Sequence, residues 1–182
     1  GANSIAIGAD SGRQSQGASA IAIGASAGMT NQGADAIAIG KFAGASAQGT
    51  GSIAIGLSAG SQQDTSAIAI GHFAGSNNQG TGSIAIGYNA GNMSQAGGIA
   101  IGQQAGKYEQ FVDAIAIGSL AGATRQGTGS VAIGLQAGRT AQAQYSIAIG
   151  TSAGSDSQAT GAIAIGYQAG QSGQSKQAIA IG

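Results

Sequence analysis

The sequence predicts an all-β chain, a parallel β-roll or solenoid of about twelve coils of 15–16 residues. Three observations predict it. A tetrapeptide returns in fixed phase, its two isoleucines alternate with small residues, and glycine is too frequent for helices, at 36 of 182 residues with no proline. The tetrapeptide Ile-Ala-Ile-Gly occurs eleven times, and Val131-Ala132-Ile133-Gly134 is a twelfth copy. The first residues of the copies stand 16 apart nine times and 15 apart twice. Internal periodicity of this kind marks a stack of like units. Units this short cannot hold a helix pair, and glycine disfavours helix interiors.

A full unit runs from Gly17 to Gln32. Its Ile-Ala-Ile segment favours a strand. Its glycines supply the positive-φ positions of tight turns. An Ala-Gly pair follows, as in Ala27-Gly28 and Ala43-Gly44, and a Gln closes the unit, as in Gln16, Gln32, Gln48 and Gln63. One short spacing loses a residue in Ser61–Gln63 and the other just before Ile99, both outside the strand segment. Each coil would bond to the next at about 4.8 Å, giving a rod about 55 Å long. The expected organisation is one repetitive β-solenoid over residues 1–182.

Strand alternation puts the two Ile of a unit on one face and the Ala between them on the other. The residue before the first Ile is always small: Ser4, Ala20, Ala36 and Ser52 begin the series. We expect the Ile ladder inside the coil, packed on the Ala of the Ala-Gly pair. The small-residue wall would then face outward over roughly 500 Å², more than a soluble monomer usually leaves apolar. A subunit interface is its natural use. The candidate interface column is Ala6, Ala22, Ala38, Ala54, Ala69, Ala85, Ala100, Ala116, Ala132, Ala148, Ala164 and Ala180. Should that placement fail, the Ile ladder becomes the interface and Ala lies inside the coil. The Gln column reads as a ladder of amides bonded along the rod.

These residues carry a resemblance. Ser4-Ile5-Ala6-Ile7-Gly8 and Ser130-Val131-Ala132-Ile133-Gly134 resemble the head repeats of trimeric autotransporter adhesins of the YadA type. The resemblance covers essentially the whole chain. It implies a left-handed parallel β-roll in which three chains pack around a threefold axis. It also implies binding to host extracellular matrix proteins or cell-surface receptors, and a location on the outer membrane of a Gram-negative cell. The loop here is longer than the family's usual one. Units such as Ser83–Gly91 and Ile163–Gly170 also look like arrays in proteins of large algal viruses and phage-like fibres, so a virion surface is the alternative.

Chemistry is sparse. Charged residues make up 7% of the chain and balance to zero, which argues against nucleic acid, since phosphate binding needs clustered Lys and Arg. No apolar run approaches a transmembrane span, so no direct membrane insertion is expected. Cysteine is absent, and His72 is the single histidine. No nucleophile–base pair, metal cluster or phosphate loop is apparent, and neither an enzyme nor a cofactor is expected.

The residues that break the pattern are the candidates for partner binding. Lys107, Tyr108, Glu109, Phe111 and Val112 form the densest mix of aromatic and charged side chains. Phe42 and Phe73 share one variable column and Tyr88 and Tyr167 the one before it, which suggests local caps over an Ile core. His72 reads as a solvated loop residue. The leading functional expectation is a multivalent adhesive head or fibre. A passive structural rod or filament is the alternative, and ice binding by a flat face ranks below both.

Overall fold

A computed structural model describes residues 1–182. Twelve three-residue strands, from Ile5–Ile7 to Ile179–Ile181, form one parallel sheet in chain order. Each Ile-Ala-Ile pairs in register with the next, as in Ile84↔Ile99, Ala85↔Ala100 and Ile86↔Ile101. A second parallel sheet of eight strands, from Ala47–Gln48 to Asp156–Gln158, ends each strand on Gln. The middle turns contribute one strand to each sheet, the outer turns pair on the Gln side only by isolated bridges, and the two sheets close around a thin interior. No helix is present, and therefore none long and apolar enough to cross a membrane.

Both 15-residue spacings are absorbed without breaking the Ile sheet. The first falls at the two-residue Gln strand Gln62–Gln63, and the sheet pairing Ile53↔Ile68 is unaffected. The second puts Gly98 where other coils hold Ala or Ser. A Cβ there would lie 2.7 Å from the Ala114 carbonyl oxygen, so only glycine fits.

The faces are the reverse of the expectation. Every column Ala from Ala22 to Ala164 is fully buried inside the coil, packed on the Ala of the Ala-Gly pairs. Ala6 and Ala180, in the terminal coils, are less covered. The Ile residues are half-buried or exposed, with Ile39, Ile70, Ile117 and Ile149 at 36–37% exposure. The Ala column is thus a core column and not an outward interface.

The physical reason is the width of the interior. Its largest fully buried side chains are Gln and Ser. The space opposite Ala38 holds the amide of Gln48, and a Cβ on Gly44 would come 2.6 Å from that amide's Oε1 and 3.3 Å from the Ala38 Cβ. No branched aliphatic side chain enters such a gap. Isoleucine therefore points away, where β-branched side chains pack along a pleated surface.

The buried Gln holds this interior together. Gln95 Nε2 donates to the carbonyl oxygens of Ile84 at 2.9 Å and Gly98 at 2.8 Å, and to Oε1 of Gln110 at 2.9 Å. The same triple contact recurs at Gln110 with Ile99, Ala114 and Gln126. The expected amide ladder is present, running from Gln48 to Gln126 and from Gln142 to Gln174. Its rungs are secondary to the strand-carbonyl bonds. An amide has two N–H groups, so in each triple contact one of them is shared between two acceptors. At Gln126 both go to the carbonyls of Ile115 and Ser130, and the next oxygen, Oε1 of Gln142, is left without a partner. The same happens at Oε1 of Gln32 and Gln48.

Two variants check this assignment. Gln110→Leu should destabilise the rod by about 2–3 kcal/mol, because the bonds across the interior to Ile99 and Ala114 are lost and the Gln95 amide loses its acceptor. Gln103→Leu, exposed in a turn, should be nearly neutral. Hydrogen exchange resolved by coil is the measurement, since damage in a solenoid spreads only to neighbouring coils. Similar loss of protection in both variants would place the Gln column outside the core.

Candidate functional site

With the interior closed by Ala, Ser and Gln, function falls to the outer surface, which has two chemically distinct regions. One is the Ile sheet. Its strands add two half-exposed branched side chains per coil, in register over twelve coils. The surface is apolar and uncharged along its length.

The second region lies on the Gln strands and the turns after them, at Lys107–Asp113. Tyr108–Gln110 is a strand of the second sheet. Gln110 points inward and is buried, so its neighbours are displayed. The Lys107 Nζ sits 4.8 Å from the centroid of the Tyr108 ring, within cation–π range. Glu109 holds a left-handed backbone at φ 48° and accepts from Nε of Arg125 in the next coil at 3.4 Å. Phe111 takes the place that Gly80, Ala96 and Gly127 hold in nearby coils, and it is 46% exposed. It separates a recess of about 240 Å³ beside Ser94 and Ala96 from one of about 430 Å³ beside Arg125 and Thr128. Val112 is exposed, and its carbonyl accepts from the Gly129 N–H at 3.0 Å.

The structure thus places Lys107, Tyr108, Glu109, Phe111 and Val112 on one surface patch, with Lys107 half-buried and the other four exposed. The backbone beneath it is pinned coil to coil, by Tyr108 N–H to Ala123 O at 3.0 Å and Phe111 N–H to Gln126 O at 3.0 Å. No three of the chain's His, Asp and Glu side chains converge as a metal-binding group would require.

The aromatic columns differ from their expected role. Phe42 and Phe73 are 41% and 39% exposed, and Tyr88 and Tyr167 are more so. They sit in the turns that leave the Ile sheet and cap no Ile core, because that core does not exist. His72 is half-buried rather than solvated. It stacks on Phe73 at 4.3 Å between ring centroids and meets the edge of Tyr88 at 5.4 Å. The sequence contained the signal for this cluster, since His72-Phe73 and Tyr88 stand one repeat apart.

Four segments, residues 32–59, 65–90, 112–137 and 141–169, match the family profile described as YadA head domain repeat (2 copies), and together they span more than half of the chain. The chain belongs to the YadA head family. Each matched YadA head segment ends on the Ala of an Ala-Gly pair, at Ala59, Ala90, Ala137 and Ala169. The ends of the matched segments are thus in phase with the repeat. No curated protein and no solved structure gives a significant match. A YadA head repeat is an adhesin-type surface domain and not an enzyme family, which agrees with a surface built from a regular apolar sheet and one aromatic, charged patch.

The Glu109–Arg125 pair is part of that surface and adds little to the rod. Both side chains are well exposed, at 59% and 67%, and exposed pairs contribute at most about 1 kcal/mol. Glu109→Gln should leave the thermal midpoint within about 2 °C of the parent by the usual stability scaling. A larger drop in a melting curve would mean that the patch supports the fold.

Proposed function

We propose that this chain is the adhesive head of a surface-displayed homotrimer, with the Ile sheets turned toward a shared axis and the Lys107–Val112 patch turned toward a host matrix protein or receptor. The observation that carries the assembly is the uncovered Ile sheet. Twelve paired strands at about 4.8 Å spacing form a strip about 55 Å long, and half-exposed Ile or Val stands at both outward positions of nearly every strand. Continuous apolar faces of several hundred Å² mark association surfaces. A second copy of the same face, in register, fits a strip that is uniform along its length.

The family supports three copies rather than two, and it supports an extracellular, surface-exposed setting. The outer membrane of a Gram-negative cell is the setting we favour over a virion surface. The three rods act as one unit over residues 1–182, and the repeated surface gives multivalent contact, which raises avidity without new chemistry. The Lys107–Val112 patch supports protein binding because exposed aromatics beside a cation are the side chains that dominate such contacts.

Ile86→Glu combined with Ile101→Glu tests the assembly. Neither Ile lies in the coil interior, so the carboxylates do not disturb the Ala–Gln core. In a trimer they meet their symmetry mates in a desolvated space, where like charges repel. Sedimentation should give a trimer for the parent and a folded monomer for the variant. A parent that sediments as a monomer, or a variant that stays trimeric, would sink the Ile-face assembly. For adhesion, the parent trimer should bind immobilised matrix proteins, and Tyr108→Ala with Phe111→Ala should lower that binding at least several-fold. Absence of binding to any matrix or cell-surface preparation favours a passive structural rod.

A further inference from the structure

A groove runs along the corner between the Ile-sheet turns and the Gln strands. Two recesses form it, of about 420 and 350 Å³, joined because Phe73, Ser76 and Asn77 line both. Phe42 stands at one end, and Tyr108 and Lys107 at the other. We propose that this groove binds an extended acidic oligosaccharide, with the faces of Phe42 and Phe73 stacking on sugar rings and Lys107 pairing with a uronate carboxylate.

Spacing is the first support. Phe42, Ser58, Phe73 and Asn89 occupy the same position in successive coils, all with left-handed backbone at φ 53–59°. Their N–H groups are tied to the preceding coil, as in Ser58 N to Lys41 O at 2.9 Å, Phe73 N to Leu57 O at 3.0 Å and Asn89 N to His72 O at 3.0 Å. Phe42 and Phe73 are therefore held two coils apart, about 9.6 Å by the strand spacing. That distance is commensurate with the disaccharide repeat of an extended β-linked glycan. Ser58 between them leaves room for the intervening sugar. The stack of His72 on Phe73 fixes that ring, which remains 39% exposed.

Lining chemistry is the second. Between the rings stand hydroxyls and amides, among them Ser58, Asn77 and Asn89, groups that both donate and accept, as sugar hydroxyls require. Asn92 is pre-set by its own bonds to the Phe73 carbonyl and to Ser76 Oγ, each at 2.9 Å. A few placed polar groups among aromatic walls are the usual make-up of a small-molecule site.

Charge is the third. No carboxylate lines either recess, and Lys107 is the one charged residue that does. The Lys41 Nζ lies 5.2 Å from the centroid of the Phe42 ring at the far end. Both ends thus favour a negative ligand. A peptide strand is disfavoured, because the N–H groups along the column are already used between coils and offer no edge for strand addition.

This site deepens the adhesive reading by naming a ligand class, and it rests on that reading for its setting. The test is titration calorimetry of the assembled rod with short hyaluronan oligosaccharides, which alternate a uronate with an amino sugar. Neutral chito-oligosaccharides of equal length serve as the comparison. Phe73→Asn, a residue this column already holds at Asn89, should weaken hyaluronan binding on the order of tenfold, the loss expected for one stacked ring. Lys107→Gln should weaken it less and flatten its salt dependence. Absence of hyaluronan binding, equal binding of the neutral oligosaccharide, or an unaffected Phe73→Asn would each overturn the proposal. A rod that binds matrix protein but no oligosaccharide sinks this site and leaves the adhesive reading standing. One that binds the oligosaccharide but no matrix protein or receptor keeps the groove and removes the protein-directed patch.

Discussion

The rest of the structure depends on one buried hydrogen bond, from the Gln amide of each coil to the backbone carbonyls of the Ile strands across the interior. Gln79 to Ile68 at 2.7 Å and Gln158 to Ile147 at 2.7 Å are examples. The Ser83 carbonyl, for example, accepts both the Ile68 N–H of the sheet ladder and the Gln79 amide, so the amide adds a second donor to a carbonyl across the interior. The amide reaches it only if the two sheets lie close. That closeness restricts the neighbouring columns to Ala, Ser and Gly, forces Gly at the position beneath the amide, and sends Ile to the outside. A thin interior, small core residues, repeated glycine and an apolar exterior are consequences of a single contact.

Such a core is weak in the usual hydrophobic sense, since an Ala buries little area compared with Leu or Ile. Cohesion along the rod comes instead from backbone ladders, with 123 backbone hydrogen bonds in 182 residues. The larger apolar side chains stand half-buried or exposed on the Ile sheet, where the proposed trimer would complete their burial. In that trimer folding and association would be coupled, because the second would supply the apolar burial that the first leaves undone.

Much of this was legible in the sequence. The period, the strand, the turn glycines and the in-register stacking follow from Ile5-Ala6-Ile7-Gly8 and its copies, and the structure repeats them residue for residue. Orientation was not legible from alternation, because a period of two says which side chains share a face but not which face is inside. Volume decides it, and the deciding residue was in view. A Gln at one fixed place per coil, with small residues at every position that could oppose it, specifies a gap too narrow for Ile21 or Ile23. Reading Gln only as a ladder bonded along the rod obscured this, since a buried polar side chain is legible only once its acceptors are placed. The pattern-breaking patch at Lys107–Val112 was legible as departures from a repeat. The groove between Phe42 and Tyr108 was not, because its residues come from several coils and from different columns.

The two short spacings show what the coil requires and what it leaves free. A residue is lost before Ile68 and another before Ile99, yet Ile53, Ile68, Ile84 and Ile99 remain in step. Each coil is satisfied by itself and its two neighbours, so its contacts do not report how many others exist. Gain or loss of whole units by unequal crossing-over between near-identical copies would shift the tip by about 4.8 Å per coil and alter no cross-section. Reach is then a heritable quantity adjustable in small equal steps, independent of the chemistry displayed on any one coil.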